Sequence, residues 1–93
     1  REKEMFATFT DWSMDNPEEG VKTAEEIWPE MKAAGAINMR IVKTDDTGAR
    51  SMTMWPDEST AMKAIDAMRA KGAAKSGSEV VGSAMGTVLV EMD

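Results

Sequence analysis

The chain has 93 residues, enough for one domain spanning 1–93, and a domain of that size buries too little surface to be strongly stable alone, so association helps it. Eleven Lys and Arg against seventeen Asp and Glu give a formal charge of −6, which argues against a nucleic-acid partner. Cysteine and histidine are both absent, which excludes disulfides, thiolate chemistry and cysteine-ligated clusters and removes the usual metal ligands, so no metal and no cofactor are expected.

Residues 5 to 14, MFATFTDWSM, are rich in aromatics and threonine and read as a strand. Met5, Ala7, Phe9 and Asp11 alternate with Phe6, Thr8, Thr10 and Trp12, so aromatics fall on both faces and the strand belongs inside a sheet covered on both sides. Asn16 is a capping residue, Pro17 suits a first helical position, and Glu18 and Glu19 favour the positive end of a helix running to about Ala34. Val21, Ala24, Ile27, Trp28 and Met31 recur along it at helical spacing, Pro29 predicts a kink, and Gly35 predicts its end.

AINMRIVKT, residues 36 to 44, is the second strand, DDTG, residues 45 to 48, a turn, and ARSMTMW the third strand. A four-residue loop pairs Thr44 with Ala49. Val42 then meets Ser51, Arg40 meets Thr53 and Asn38 meets Trp55 on one face, while Ile41 meets Met52 and Met39 meets Met54 on the other. WPDESTAMKAIDAMRAKG supplies a second helix, opened by Pro56 and Asp57 and ended by Gly72, with Ala61, Ala64, Ile65 and Met68 as its buried stripe. The following stretch has three glycines, Gly77, Gly82 and Gly86, and reads as a mobile connection with room for a short strand at Val80 and Val81. TVLVEM, residues 87 to 92, is the last strand. No apolar run is long enough to cross a bilayer, so no membrane partner and a cytoplasmic location are expected.

The order strand, helix, strand, strand, helix, strand is the ferredoxin-like α+β unit, a four-stranded antiparallel sheet with both helices on one face. The helix side is expected to collect Met5, Phe9, Met39, Ile41, Met52, Met54, Val88 and Val90. The other face would carry Phe6, Trp12, Val42, Trp55 and Leu89, too much apolar surface for water, and a second copy of the sheet is its simplest cover.

MFATFTDW, EEIWPEMKAAGAINMRIV, ARSMTMWPDESTAMKAID and GSAMGTVLVE together resemble the dimeric α+β barrel group of ferredoxin-like proteins. That group includes antibiotic-biosynthesis-monooxygenase-like proteins and many uncharacterised bacterial and marine members. The resemblance covers nearly the full chain and is one of pattern, without a catalytic signature. It implies a homodimer with two sheets facing each other, helices outside, and ligands held against the inner sheet faces.

On that inner face the candidate ligand contacts are Phe6, Thr8, Thr10, Trp12, Asn38, Arg40, Thr53 and Trp55. Aromatics interleaved with a few polar groups suit a small amphipathic molecule, one bearing a carboxylate if Arg40 is its anchor. Arg40 in an apolar strand needs an anion, either that carboxylate or Glu91 or Asp11 of the same subunit or its partner. Three functions fit these residues, and no catalytic residue is assigned. The first is a small-molecule binding protein. The second, implied by the resemblance, is a cofactor-independent monooxygenase in which Asn38, Trp55 or Trp12, and Arg40 assist oxygen chemistry. The third is an association module without a ligand.

Overall fold

The computed structural model describes residues 4–92. Strand β1 (Phe6–Ser13) leads through a 3-10 turn (Pro17–Glu19) into helix α1 (Gly20–Ala33); β2 (Asn38–Asp45) and β3 (Gly48–Trp55) form a hairpin, and α2 (Glu58–Ser76) precedes β4 (Glu79–Thr87). The strands form one antiparallel sheet in the order β2-β3-β1-β4. With the helices packed on one face, this is the ferredoxin-like α+β fold.

Local chemistry sets most of the boundaries. Asn16 accepts a hydrogen bond from the Glu18 N–H, and Pro17 follows it as the first turn begins. The chain then continues through Pro29 as one helix rather than breaking there, because Ile27 and Met31 are buried on either side while the proline itself is exposed. Asp57 caps α2 by accepting from the Thr60 N–H at 2.8 Å and the Thr60 hydroxyl at 2.9 Å. The expected stripe of Ala61, Ala64, Ile65 and Met68 is buried.

Helix α2 does not stop at Gly72. It runs one turn further to Ser76 and ends at Gly77, whose φ of 69° is the left-handed conformation that glycine adopts without strain. Gly72 is instead a place of close approach, since a Cβ there would come within 3.2 Å of Trp12 Cη2. The longer helix leaves only Gly77 and Ser78 before the sheet is re-entered at Glu79. The last strand is therefore residues 79–87 and not 87–92, and it pairs with β1 from Ser13 opposite Glu79 to Phe6 opposite Thr87. Beyond Thr87, Val88 donates its N–H to Met5 at 2.9 Å, and the segment 88–92 carries no strand assignment.

The hairpin register also differs from the expected one. Lys43 faces Ala49 and Asp45 faces Gly48, with an irregularity between them that leaves Thr44 as an extra residue. Asp45 stabilises the short turn by accepting from the Thr47 N–H at 2.9 Å. Arg40 consequently lies opposite Met52, Asn38 opposite Met54, Met39 opposite Thr53 and Ile41 opposite Ser51. A one-residue slip exchanges the faces of one strand relative to the other. Met39 and Ile41 do turn toward the helices and Asn38, Arg40 and Val42 away from them, as expected. The side chains of β1 and β3 are inverted: Phe6, Thr8, Thr10, Trp12, Ser51, Thr53 and Trp55 lie beneath the helices, and Phe9, Met52 and Met54 lie on the open face.

Polar satisfaction explains the inversion. Trp55 is fully buried and its indole Nε1–H donates to Thr8 Oγ1 at 2.9 Å, while Trp12 Nε1–H donates to Ser51 Oγ at 3.0 Å. A buried indole needs an acceptor, and the hydroxyl-bearing face of β1 and β3 provides one for each. The core forms around Phe6, Trp55, Ile27, Met31, Ala61, Ala64 and Met68, with Trp28 and Met39 packed against it. Ion pairs from Glu30 to Lys71 and from Glu26 to Lys75 join the two helices at the surface, each a minor contribution in solvent. No described helix is long and apolar enough to cross a membrane.

Candidate functional site

The eight residues singled out from the sequence divide between the two faces of the sheet. Phe6, Thr8 and Trp55 are core, closed off by their own hydrogen bond and by the helices. Thr10, Trp12 and Thr53 line a small cavity of about 70 Å³ between sheet and helices. Asn38 and Arg40 are exposed on the open face, remote from that cavity's lining. The grouping of Asn38, Arg40 and a tryptophan therefore does not converge within one subunit.

The cavity has a floor of sheet residues, Thr10, Trp12, Met39, Ile41, Ser51 and Thr53, and a roof from α1 and α2. Its lining is mainly apolar, with hydroxyls and one cation, Arg69. Arg69 reaches from α2 to β1, donating through Nε to Thr10 Oγ1 at 2.9 Å and through Nη2 to the Phe9 carbonyl at 3.1 Å. Both acceptors are neutral, and among the described residues no carboxylate pairs with it. A partly buried guanidinium facing neutral oxygens keeps most of its capacity for a charged acceptor.

Arg69 escaped the sequence reading because it resembles an ordinary basic residue near a helix end. Its position gave a usable signal, since it lies four residues after Ile65 and three before Gly72, on the flank of the buried stripe. The roof over the cavity is thinly held on one side, because Ile27 and Met31 are the buried residues of α1. A space of about 70 Å³ is larger than a single water requires.

The open face has different chemistry. Its floor is Ala7, Phe9, Met52 and Met54, with Gly86 and Ala84 on β4 and Asn38 and Arg40 on β2. Arg50 clamps Asp11 with two hydrogen bonds, of 2.7 and 3.1 Å, and its guanidinium lies 5.8 Å from the Phe9 ring centre. The hydrogen bond from Arg50 is the main cause holding the Asp11 carboxyl below its ordinary range, and the same contact raises Arg50. Asp11 is thus already engaged, whereas the Arg40 side chain has no hydrogen bond or ion pair to any described residue. Among the described residues, no group of three or more metal-binding side chains occurs.

No protein-family model matches the chain, and no curated sequence is recognisably similar. Solved structures share its fold at low sequence identity. A dimeric ferredoxin-like protein from an uncultured marine organism superposes with a TM-score of 0.70 at 13% identity, covering 97% of this chain and 100% of that one. SnoaB, a cofactor-independent oxygenase from Streptomyces nogalater, gives 0.67 at 10% identity, covering 97% and 96%. A protein of unknown function from Nitrosomonas europaea gives 0.69 at 13% identity, covering 99% and 96%.

Proposed function

We propose that this ferredoxin-like chain is a homodimer whose subunits each bind a small amphipathic molecule in the cavity between sheet and helices. The observation that carries the reading is Arg69: a guanidinium at the edge of a mostly apolar cavity, bonded among the described residues to a hydroxyl and a carbonyl and to no carboxylate. A carboxylate or similarly acidic head would pair with Arg69 within reach of the Ser51 and Thr10 hydroxyls, and an apolar tail would lie along Met39, Ile41 and Met68. Thr10, Trp12 and Thr53 are its contacts from the sheet. A ligand larger than the present space is admitted by displacement of α1, which few buried side chains restrain. Dimerisation leaves the helices outside and covers the partly exposed Phe9 and Met52 on the open face, in keeping with the dimeric state of the marine protein of the same fold.

Titration of the protein with hexanoate and with methyl hexanoate, followed by Trp12-sensitive fluorescence and by native mass spectrometry, tests the cavity reading. Hexanoate is expected to bind, and Arg69→Met is expected to weaken it by about tenfold or more while changing the ester little. Equal weakening of both would make Arg69 a structural brace, and absence of binding by either compound would remove this ligand class. Oxygen uptake with phenolic substrates separates turnover from binding.

A further inference from the structure

The depression on the open face has an unusual charge inventory. Its lining combines the apolar residues of the sheet floor with the exposed chain after β4, and it contains one cation, Arg40, and one anion, Glu91. The two are not paired with each other. Around Glu91 the chain is almost wholly apolar and almost wholly in solvent: Leu89 is 92% exposed, Val90 66% and Met92 84%. A VLVEM sequence has the alternation and composition of a strand, yet beyond the Val88 N–H bonded to Met5 it has no strand assignment among the described residues.

From these observations we infer that residues 88–92 of each subunit lie against the open sheet face of a second copy, with Glu91 of one protomer paired to Arg40 of the other, twice across a two-fold axis. This inference rests on the homodimer proposed above and specifies what closes it. Two-fold interfaces are self-complementary, so a surface with one unmatched positive and one unmatched negative group satisfies itself when it meets its own copy. Size supports the same conclusion. Strand spacing and rise give the sheet face a span of roughly 500 Å², short of the ~800 Å² that each partner of a stable complex commonly contributes. The exposed apolar segment supplies additional area at the edge of that face. Gly82, Ala84 and Gly86 on β4 present almost no side chain on the open face, which permits close approach there.

Sedimentation equilibrium on the intact protein and on charge-reversed variants tests the inference. Arg40→Glu and Glu91→Arg are each expected to raise the dimer Kd by roughly tenfold, because each places two like-charged pairs across the axis. The two substitutions together are expected to restore it to within about threefold of the original value. Single substitutions without effect, or a double variant as weak as the two losses combined, would overturn the pairing. A chain truncated after Val88 is expected to keep its circular dichroism and lose most of its dimer; unchanged association would refute the role of the segment. A native chain that stays monomeric at every concentration would instead defeat the dimer itself. The protein has no cysteine, so mixing Arg40→Cys with Glu91→Cys and adding a short bismaleimide provides a direct readout. Efficient heterologous cross-linking is expected, and its absence at dimer-forming concentrations counts against the contact.

Discussion

Replacing Thr8 by valine puts the inverted sheet to a direct test. The substitution preserves the shape of the side chain and its β-branch but removes the acceptor for the Trp55 indole, 2.9 Å away in a region with no solvent access. An unsatisfied buried donor costs about 1–3 kcal/mol, and a loss near the middle of that range lowers the melting temperature of a domain this size by roughly 10 °C. Thr8→Ser is the control, because it retains the hydroxyl and removes only a methyl, a loss of about 1 kcal/mol. Thermal and urea unfolding of the three proteins at one fixed concentration, which keeps any linkage to association constant, measures the difference. If Thr8→Val is neutral while Thr8→Ser is destabilising, the indole has another acceptor and the polar argument for the sheet's orientation fails. If both are neutral in stability but disrupt association, Thr8 belongs to an interface and the helices cover the other face.

Lowering the pH is expected to remove the stabilisation contributed by Asp11. Its folded-state pKa is depressed by Arg50, so the contribution is present above the ordinary carboxylate range of about pH 4 and is lost as the pH falls through the lower folded value. Asp11→Asn should flatten the acid limb of an unfolding-versus-pH profile, and an unchanged profile would dismiss the pair as a contributor. Gly72→Leu is expected to destabilise by about 1–3 kcal/mol through overpacking against Trp12, with a shift in tryptophan emission as the accompanying sign. Gly77→Val forces a β-branched residue into the left-handed region at the end of α2 and is expected to cost at least ~1 kcal/mol in denaturant unfolding.

Much of this architecture was legible from alternation and punctuation. The order of elements, the buried stripe of α2 and the two sets of side chains on each of the first three strands follow from period and capping residues alone. How those sets join across strands was not, because it depends on one residue at the hairpin, Thr44, whose displacement from the ladder has no compositional mark. The hydroxyls of Thr8, Thr10, Ser51 and Thr53 were equally ambiguous. Beside aromatics they could line a wet site or serve buried donors, and the latter became clear only once Trp55, Trp12 and Arg69 were seen to donate to three of them. Gly72 misled in a similar way, since a glycine near a helix end reads as a stop and here makes room for an indole. Arg40 was placed on the correct side of β2, but its neighbours are Met52 and Met54 rather than threonine and tryptophan.

The extra residue in the β2–β3 hairpin has a consequence for how this gene can change. Surface turns usually tolerate insertions and deletions better than core positions tolerate substitutions. In this turn, loss of the single codon for Thr44 would leave Lys43 opposite Ala49 and Asp45 opposite Gly48 in a regular ladder, with Asn38, Arg40 and Val42 still turned away from the helices; drawing Thr44 into the ladder opposite Ala49 would instead send those three under the helices and Met39, Ile41 and Lys43 outward. What the hairpin must preserve is thus the pairing of Lys43 with Ala49 and not its number of residues: the chain can lose the bulged position without disturbing the sheet, whereas a change that straightens the bulge with Thr44 in place would exchange interior for exterior along an entire strand.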